Sequence, residues 1–313
     1  RGMSPLEALI HDQIARDGPL SVADYMTICL WHPTHGYYAT RDPLGATGDF
    51  ITAPEISQMF GELLGLWLLT VWQDQGAPDP FILCELGAGR GTLLRDALRA
   101  TRQVPEFHLA MRLHLVEGSA VLRAAQEDAA APMIPVFHHG VADMPDGPLF
   151  LIANEFFDAL PVRQFQRGRN AWHERRIGVV DGALAWGLGP ETPVPALSGR
   201  LADTVPGQIV EQSRAGEAVM AEIGARIADH GGAALIVDYG DMISRGDTLQ
   251  AVRQHAFADP LADPGLADLT AHVAFAPLAE AAHPARALPL TPQGVVLERL
   301  GITARAQALA QHM

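Results

Sequence analysis

Residues 81–94, Phe81-Ile-Leu-Cys-Glu85-Leu-Gly87-Ala-Gly89-Arg-Gly91-Thr-Leu-Leu94, decide the fold. An apolar run leads into closely spaced glycines, and a helical pattern begins at Thr92. Glycines allow a backbone to approach a ligand closely, and a helix N-terminus favours negative charge. The segment therefore predicts a strand, a ligand-binding turn and a helix, in that order.

Short apolar segments separated by helical patterns continue on the C-terminal side of this turn. The predicted strands are 81–85, 112–117, 134–137, 149–153 and 233–237, and helices are predicted at 92–100 and 119–130. Strands that alternate with helices in this way indicate a parallel sheet covered on both faces. The expected fold class is α/β, a doubly wound Rossmann-like sheet.

The flanking regions predict additional structure. Residues 4–30 carry apolar side chains at helical spacing in two short stretches, and a further helix is expected from about residue 54 to residue 72. Between the fourth and fifth strands, Val180-Asp181-Gly182 is a hairpin signal. We therefore expect a β-rich insertion at 162–206, followed by a helix at about 208–229. The expected domains are an N-terminal helical region with a cofactor lid (1–75) and a cofactor-binding domain (76–313).

Two details of the glycine turn distinguish between cofactors. A dinucleotide-binding turn has its third glycine where Thr92 stands, and an apolar residue where Glu85 stands. A carboxylate at the end of the strand instead suits the ammonium of a bound methionine moiety. The turn therefore predicts S-adenosylmethionine, bound by Glu85, Gly87, Ala88, Gly89 and Gly91. A dinucleotide and a purely structural turn are the alternatives.

Two further acids follow the next predicted strands. Glu117 ends the second strand, where a carboxylate can accept both ribose hydroxyls of a nucleoside. Asp143 follows the third strand and is a candidate for binding the adenine amino group. An aspartate that caps a local turn is the alternative at Asp143.

Composition excludes several classes of function. The formal net charge is −14 and the isoelectric point is about 5.3, which argues against docking on a phosphate backbone. The longest apolar stretch, residues 63–72, is about half the length needed to cross a bilayer.

No metal-ligand spacing occurs among the histidines and the two cysteines. His138-His139 is expected to lie in a loop. Cys29 and Cys84 are not expected to form a disulfide, which favours a reducing compartment, and no secretory signal is expected.

Four more segments carry a resemblance to a known family: residues 48–61, 154–161, 237–240 and 268–273. Together with the glycine turn they resemble the MidA family of bacteria and mitochondria, over about residues 4–310. The resemblance implies a class I methyltransferase fold with an N-terminal helical region. It also implies methylation of a protein arginine, as in the assembly of respiratory complex I. Members of the family normally continue beyond Gly301-Ile302 into a terminal strand, which this sequence does not show.

The segment Asn154-Glu155-Phe156-Phe157-Asp158 leaves the fourth strand at its carboxyl end, beside the expected switch point of the sheet. Carboxylates can bind a guanidinium in a bidentate manner. Glu155 and Asp158 are therefore the candidate catalytic residues, with Asn154 holding the substrate or the backbone. The alternative is that Glu155 begins a helix as a first-turn acid and that Asp158 caps it locally.

Residues 48–55 are expected to fold over the cofactor as a lid, with Gly48, Asp49, Thr52 and Glu55 as cofactor-binding residues. An ordinary entry loop to the following helix is the alternative. Asp268, Thr270 and His272 are further candidates for the acceptor pocket.

The favoured function is an S-adenosylmethionine-dependent methyltransferase that acts on an arginine of a partner protein. A cofactor-binding assembly chaperone with little turnover and a small-molecule methyltransferase are the alternatives. The expected location is the bacterial cytoplasm, or the mitochondrial matrix if the protein is eukaryotic, without nucleic-acid binding or stable membrane insertion. The sequence leaves the oligomeric state open.

Overall fold

The computed structural model describes residues 3–40 and 53–310. Within these ranges the helices are α1 (Pro5–Asp17), α2 (Val22–Trp31), α3 (Tyr37–Thr40), α4 (Ala53–Ile56), α5 (Gln58–Asp74), α6 (Thr92–Thr101), α7 (Pro105–Ala110), α8 (Ala120–Ala130), α9 (Arg214–His230), α10 (Phe275–Ala281), α11 (Gln293–Arg299) and α12 (Ile302–Ala310). The strands are β1 (Leu20–Ser21), β2 (Phe81–Leu86), β3 (Met111–Val116), β4 (Val136–His138), β5 (Leu149–Asn154), β6 (Arg163–Arg167), β7 (Trp172–Val180), β8 (Ala183–Thr192), β9 (Ile209–Gln212), β10 (Gly232–Val237), β11 (Gly240–Asp241), β12 (Gln250–Arg253), β13 (Ala256–Ala258), β14 (Asp268–Thr270) and β15 (Val273–Ala274).

The chain divides into two compact units, each built from segments that are separate in sequence. We call Ile51–Phe156, Ala218–Asp238 and Leu278–Met313 the sheet unit. We call Arg1–Phe50, Phe157–Glu217 and Tyr239–Pro277 the insertion unit. These units do not coincide with the proposed division into 1–75 and 76–313, which remains a prediction about domains.

The sheet unit contains the predicted parallel sheet, with strand order β10-β5-β2-β3-β4 and parallel pairing throughout. Strand β2 lies in the middle and all six of its residues are buried, which explains its continuous apolar sequence. The chain extends the sheet in one direction through β3 and β4, then returns to the other side of β2 with β5. The topological switch point therefore lies between β2 and β5, where ligands bind in open α/β sheets.

The helix predicted for about residues 54–72 is interrupted. It consists of α4 and α5, separated at Ser57, whose Oγ accepts a hydrogen bond from the N–H of Met59. Phe60, Leu64 and Leu68 on α5 are buried in the core of the sheet unit, as the apolar pattern predicts. Ile56 on α4 is 74% exposed, unlike these apolar residues of α5.

The insertion unit contains the predicted β-rich structure, as an antiparallel sheet of order β1-β7-β6-β9 with β8 paired to β7. Asp181 and Gly182 have φ angles of +50° and +79° and join β7 to β8, as the hairpin signal predicts. Two smaller sheets, β13-β12-β14 and β11-β15, complete the strands of this unit that the structure describes.

One predicted helix begins later than expected. The helix expected at about 208–229 starts at Arg214, because residues 209–212 form β9. Strand β9 pairs antiparallel with β6, and its Val210 is opposite Phe165. This pairing joins residues far apart in sequence, so local helical spacing did not reveal it.

Within the described ranges, no helix is both long enough and apolar enough to span a bilayer.

Candidate active site

The turn after β2 has a backbone conformation that favours glycine. Gly87, Gly89 and Gly91 have φ angles of +60°, +55° and +77°, and Ala88 between them is buried. A Cβ atom on Gly91 would lie 2.7 Å from the Cβ of Ala129, so α8 packs directly against the turn. Gly91 is also the N-cap of α6 and supplies no side-chain hydrogen bond there. The first N–H groups of α6 therefore receive no side-chain acceptor from the cap residue.

Glu85 is a buried carboxyl that the described residues leave incompletely satisfied. It is 6% exposed, and its Oε2 has no hydrogen-bond partner within residues 3–40 and 53–310. Burial raises the pKa of Glu85 to about 8. A buried carboxylate without a partner is costly, and a cation beside it removes that cost. Glu85 therefore fits the ammonium group of a bound methionine moiety.

Glu117 follows β3, the strand adjacent to β2, and is 8% exposed. Its Oε1 accepts from the N–H of Ser119 at 2.8 Å, and its Oε2 accepts from Nε2 of Gln126 at 2.9 Å. Each carboxylate oxygen has more than one acceptor position, so hydroxyl groups can still donate to it. Glu117 therefore fits a ribose with its hydroxyls directed at this end of the sheet.

Asp143 ends a short 3-10 turn after β4 and is exposed. Its Oδ2 accepts from the N–H of Gly140 at 3.1 Å, which is the local capping contact of the alternative interpretation. Its role at adenine stays a prediction. The neighbouring His138 is not in a loop as expected: it ends β4, and its Nε2 lies 2.7 Å from Nδ1 of His114.

Asn154 and Glu155 lie where β5 ends. Glu155 has a φ of +50°, which is unusual for a residue with a side chain, and its N–H donates to the carbonyl of Val237 at 2.9 Å. No helix begins at Glu155, so the interpretation as a first-turn acid was wrong. Burial raises the pKa of Glu155, although its carboxyl also accepts from the backbone of Ala53 and from the side chain of Asn154. The Oδ1 of Asn154 is buried and has no hydrogen-bond partner among the residues that the structure describes.

Helix α4 connects the predicted lid to this region. Gly48, Asp49 and Thr52 lie outside the described residues, but Glu55 is described. Its Oε1 accepts from Oγ1 of Thr92 at 2.6 Å, immediately after the glycine turn. Together with the bond from Ala53 to Glu155, this contact attaches α4 to both the turn and the end of β5.

Asp158 belongs to the insertion unit. Its carbonyl accepts from the N–H of Ala271 at 2.9 Å. The hydroxyl of Tyr38 donates to Oδ1 of Asp268 at 3.0 Å. Burial first, then the charges of Asp268 and Asp158, raise the pKa of Tyr38.

Two other acceptor-pocket candidates of this unit are tied to residues 248–250. The Oγ1 of Thr270 accepts from Nε2 of Gln250 at 3.2 Å. The N–H of His272 donates to Oγ1 of Thr248 at 2.8 Å.

The structure therefore brings most of the predicted residues to one edge of one sheet. Register pairs Glu85 with Leu115 on β3 and with Ile152 on β5. The residues that follow these strands, including Glu117, Asn154 and Glu155, consequently lie near the glycine turn. The contacts of Ala53, Thr92 and Gln126 were not predicted. Among the residues described, no three His, Cys, Asp or Glu side chains form a cluster that could hold a metal ion.

Comparison with known proteins bears on this geometry. Residues 63–293 match the model of a family described as "Putative S-adenosyl-L-methionine-dependent methyltransferase". The mitochondrial protein arginine methyltransferase NDUFAF7 homolog of Drosophila melanogaster is 38% identical over 349 residues, covering 99% of this chain and 78% of the relative. The mitochondrial protein arginine methyltransferase NDUFAF7 of Homo sapiens is 36% identical over 337 residues, covering 98% and 76%.

Among solved structures, a Burkholderia thailandensis protein bound to S-adenosyl-homocysteine matches with a TM-score of 0.83 at 29% identity. The match covers 98% of this chain and 84% of that protein. The comparisons confirm the resemblance to the MidA family, the class I methyltransferase fold and S-adenosylmethionine as the cofactor.

Proposed function

The chain belongs to this family of S-adenosyl-L-methionine-dependent methyltransferases, and from that premise we propose that it methylates an arginine of a partner protein. The observation that carries the proposal is the carboxyl of Glu155. It is half-buried at the end of β5, beside the switch point, and its backbone is held at a positive φ. Strained backbone of this kind is concentrated at functional sites. The protein arginine methyltransferase names of the relatives agree with a carboxylate placed to bind a guanidinium.

The cofactor, when bound, supplies a methyl group on a positively charged sulfur. The protein then has to align and desolvate the reactants. In this proposal Glu85 holds the ammonium of the methionine moiety and Glu117 accepts from the ribose hydroxyls. The glycine turn brings the backbone close to the same ligand.

Glu155 acts on the acceptor. A protonated guanidinium is a poor nucleophile, and a carboxylate bound to it localises the positive charge on one side. Bound S-adenosylmethionine would supply the methyl group to one guanidinium nitrogen, and the electron pair of the carbon–sulfur bond would remain on sulfur. The proton lost from that nitrogen passes to the carboxylate of Glu155. A raised pKa makes this carboxylate a better proton acceptor. Asn154 orients Glu155, and Asp158 is the second carboxylate proposed for the acceptor.

The partner is proposed to be an arginine-bearing protein, and the MidA resemblance directs the search to a core subunit of respiratory complex I. The relatives named above are mitochondrial proteins. We propose the bacterial cytoplasm as the location of this chain, or the mitochondrial matrix if it is eukaryotic.

The test is methyl transfer to purified complex I subunits, with methylarginine measured by mass spectrometry. The change is Glu155→Gln, and the matched control is Glu127→Gln on the exposed face of α8. We expect Glu155→Gln to slow transfer by about 100-fold, within the range for removal of a positioned proton acceptor. Its affinity for S-adenosylhomocysteine should stay close to that of the unmodified chain.

Unchanged transfer by Glu155→Gln would exclude the proposed role of this residue. If the unmodified chain binds S-adenosylhomocysteine and restores complex assembly but forms no methylarginine, the assembly-chaperone alternative is supported instead. Methylation of a small molecule alone would support the third alternative.

A further inference from the structure

Helix α8 buries a polar side chain in a row of apolar ones. Leu122, Gln126 and Ala130 follow each other at four-residue spacing and are all buried, and Gln126 is 0% exposed. A buried amide adds nothing to packing that an aliphatic side chain of similar size would not supply, and it must be hydrogen-bonded to be tolerated. The presence of glutamine here therefore requires an explanation beyond the core.

The amide nitrogen of Gln126 joins two parts of the cofactor site. Nε2 donates to the carbonyl of Gly89 at 2.7 Å and to Oε2 of Glu117 at 2.9 Å. One NH2 group has two hydrogens, so these two bonds use its full donor capacity. The glycine turn and the carboxylate after β3 are thereby linked through one rigid planar group.

Other contacts with Glu117 do not make this link. The N–H of Ser119 donates to Oε1, and the guanidinium of Arg123 donates to the backbone carbonyl of Glu117 at 2.9 and 2.6 Å. These bonds hold Glu117 itself and do not extend to the glycine turn. The amide of Gln126 is also uncharged, so it orients the carboxylate without neutralising it.

The amide oxygen of Gln126 provides a second observation. Oε1 of Gln126 is buried and has no hydrogen-bond partner among the described residues. An unsatisfied buried carbonyl oxygen costs stability, which a side chain kept only for packing would not incur. The amide is thus better explained by its two donated bonds, which both end on cofactor-binding groups.

We infer that Gln126 is a positioning residue for ribose recognition. It fixes the carboxylate of Glu117 relative to the glycine turn, so that the remaining acceptor positions of the carboxylate face the ribose hydroxyls. This inference depends on the cofactor and does not depend on which molecule accepts the methyl group.

The experiment measures binding, without turnover. Calorimetry gives the dissociation constants of S-adenosylhomocysteine and of its 2′-deoxyribose analogue for each variant. The unmodified chain should bind the ribose form about tenfold more tightly, the effect expected for a hydrogen bond to a charged group. In Gln126→Met, which keeps the volume and removes the amide, this preference should fall to about twofold or less. Leu122→Ala is the matched control, because it alters packing of the same helix without touching Glu117.

A double-mutant cycle tests whether Gln126 acts on ribose binding through Glu117. If Gln126 acts through Glu117, Glu117→Ala should lose the same preference, and Glu117→Ala/Gln126→Met should show no further change. Equal weakening of both ligands in Gln126→Met, with the tenfold preference retained, would overturn the inference. Additive losses in the double variant, or an equal loss in Leu122→Ala, would also overturn it. If Gln126→Met does not fold, Gln126→Asn supplies the same comparison, because its shorter side chain cannot make both bonds.

Discussion

Glu85 lies near the end of β2, and Glu117 follows β3, the neighbouring parallel strand. Their side chains are buried to nearly the same degree, but the two carboxyls differ in the hydrogen bonds that they accept. Glu117 has a donor from the chain on each oxygen. Glu85 has an oxygen without any partner among the described residues, and its pKa is raised to about 8. The protein therefore orients one acid in advance and leaves the other dependent on what binds.

The difference follows from the groups that the two acids are proposed to meet. Hydroxyls bind weakly and in a specific direction, so a carboxylate that receives them must already be oriented. An ammonium carries a full charge and can stabilise a buried carboxylate by itself. A donor from the chain beside Glu85 would satisfy it in the free protein and reduce what the cation contributes.

The largest effect should come from removing the incompletely satisfied acid. Glu85→Ala should weaken binding of S-adenosylhomocysteine on the order of 100-fold, because it leaves a buried ammonium without its counter-charge. Calorimetry checks this, with Glu106→Ala on the exposed face of α7 as control. Affinity within a factor of two of the unmodified chain would show that Glu85 does not contact the cofactor.

A second effect should appear in the way the stability of the ligand-free protein depends on pH. Because the folded pKa of Glu85 is raised to about 8, the folded state holds a proton that the unfolded state releases near its ordinary value. The free energy of unfolding should therefore fall by a few kcal/mol as the pH rises from about 5 to about 8. Glu85→Gln should remove this component, as measured by urea denaturation at several pH values. If the free energy of unfolding changed equally with pH in the unmodified chain and in Glu85→Gln, the proposed difference between Glu85 and Glu117 would be contradicted.

A third buried acid, Glu62, should change the free energy of unfolding with pH in the opposite direction. Glu62 on α5 is 6% exposed and accepts from Arg305 at 2.8 and 3.1 Å and from Arg99 at 3.1 Å. The hydrogen bonds from Arg305, followed by those from Arg99, lower the pKa of Glu62 against the effect of burial. Its contribution to stability is present above the ordinary carboxyl pKa and is lost as the pH falls through the lowered value.

The smallest predicted effect concerns the ion pair between Glu62 and Arg305. Arg305 is 40% exposed, and Arg99 still pairs with Glu62 when Arg305 is absent. Arg305→Met should therefore cost only about 1 kcal/mol at neutral pH, and less in acid. Denaturation curves measure this loss, with Arg299→Met on the exposed surface of α11 as control. A loss of several kcal/mol would mean that α12 contributes far more than this ion pair.

The local sequence pattern was sufficient to predict the parallel sheet and the acids at the ends of its strands. Apolar runs bounded by helices predicted β2, β3, β4, β5 and β10, and the positions of Glu85, Glu117 and Glu155 follow from the direction of parallel strands. The turn between β7 and β8 was predictable because Asp181-Gly182 accommodates positive φ angles.

Contacts between distant segments could not be predicted in the same way. Strand β9 depends on β6, and the carboxyl of its Glu211 is bound by Gln164 at 2.7 Å and by Thr248. The backbone bond from Ala53 to Glu155 carries no side-chain signal at Ala53. Gln126 could have been noticed as a polar residue in an apolar row, but its partners required the three-dimensional arrangement.

The discontinuity of the two units has a consequence for synthesis of the chain on the ribosome. Strand β10, which covers the outer edge of β5, is translated only after residues 157–217 have been made. Until then a nascent chain has at most four strands of the parallel sheet, with the backbone of β5 unpaired on one side, and such edges invite association with other chains. The insertion unit is likewise incomplete until residue 277 has left the exit tunnel. Nascent chains in which β10 has not yet left the exit tunnel should therefore bind chaperones more strongly than chains in which residues 232–277 have emerged.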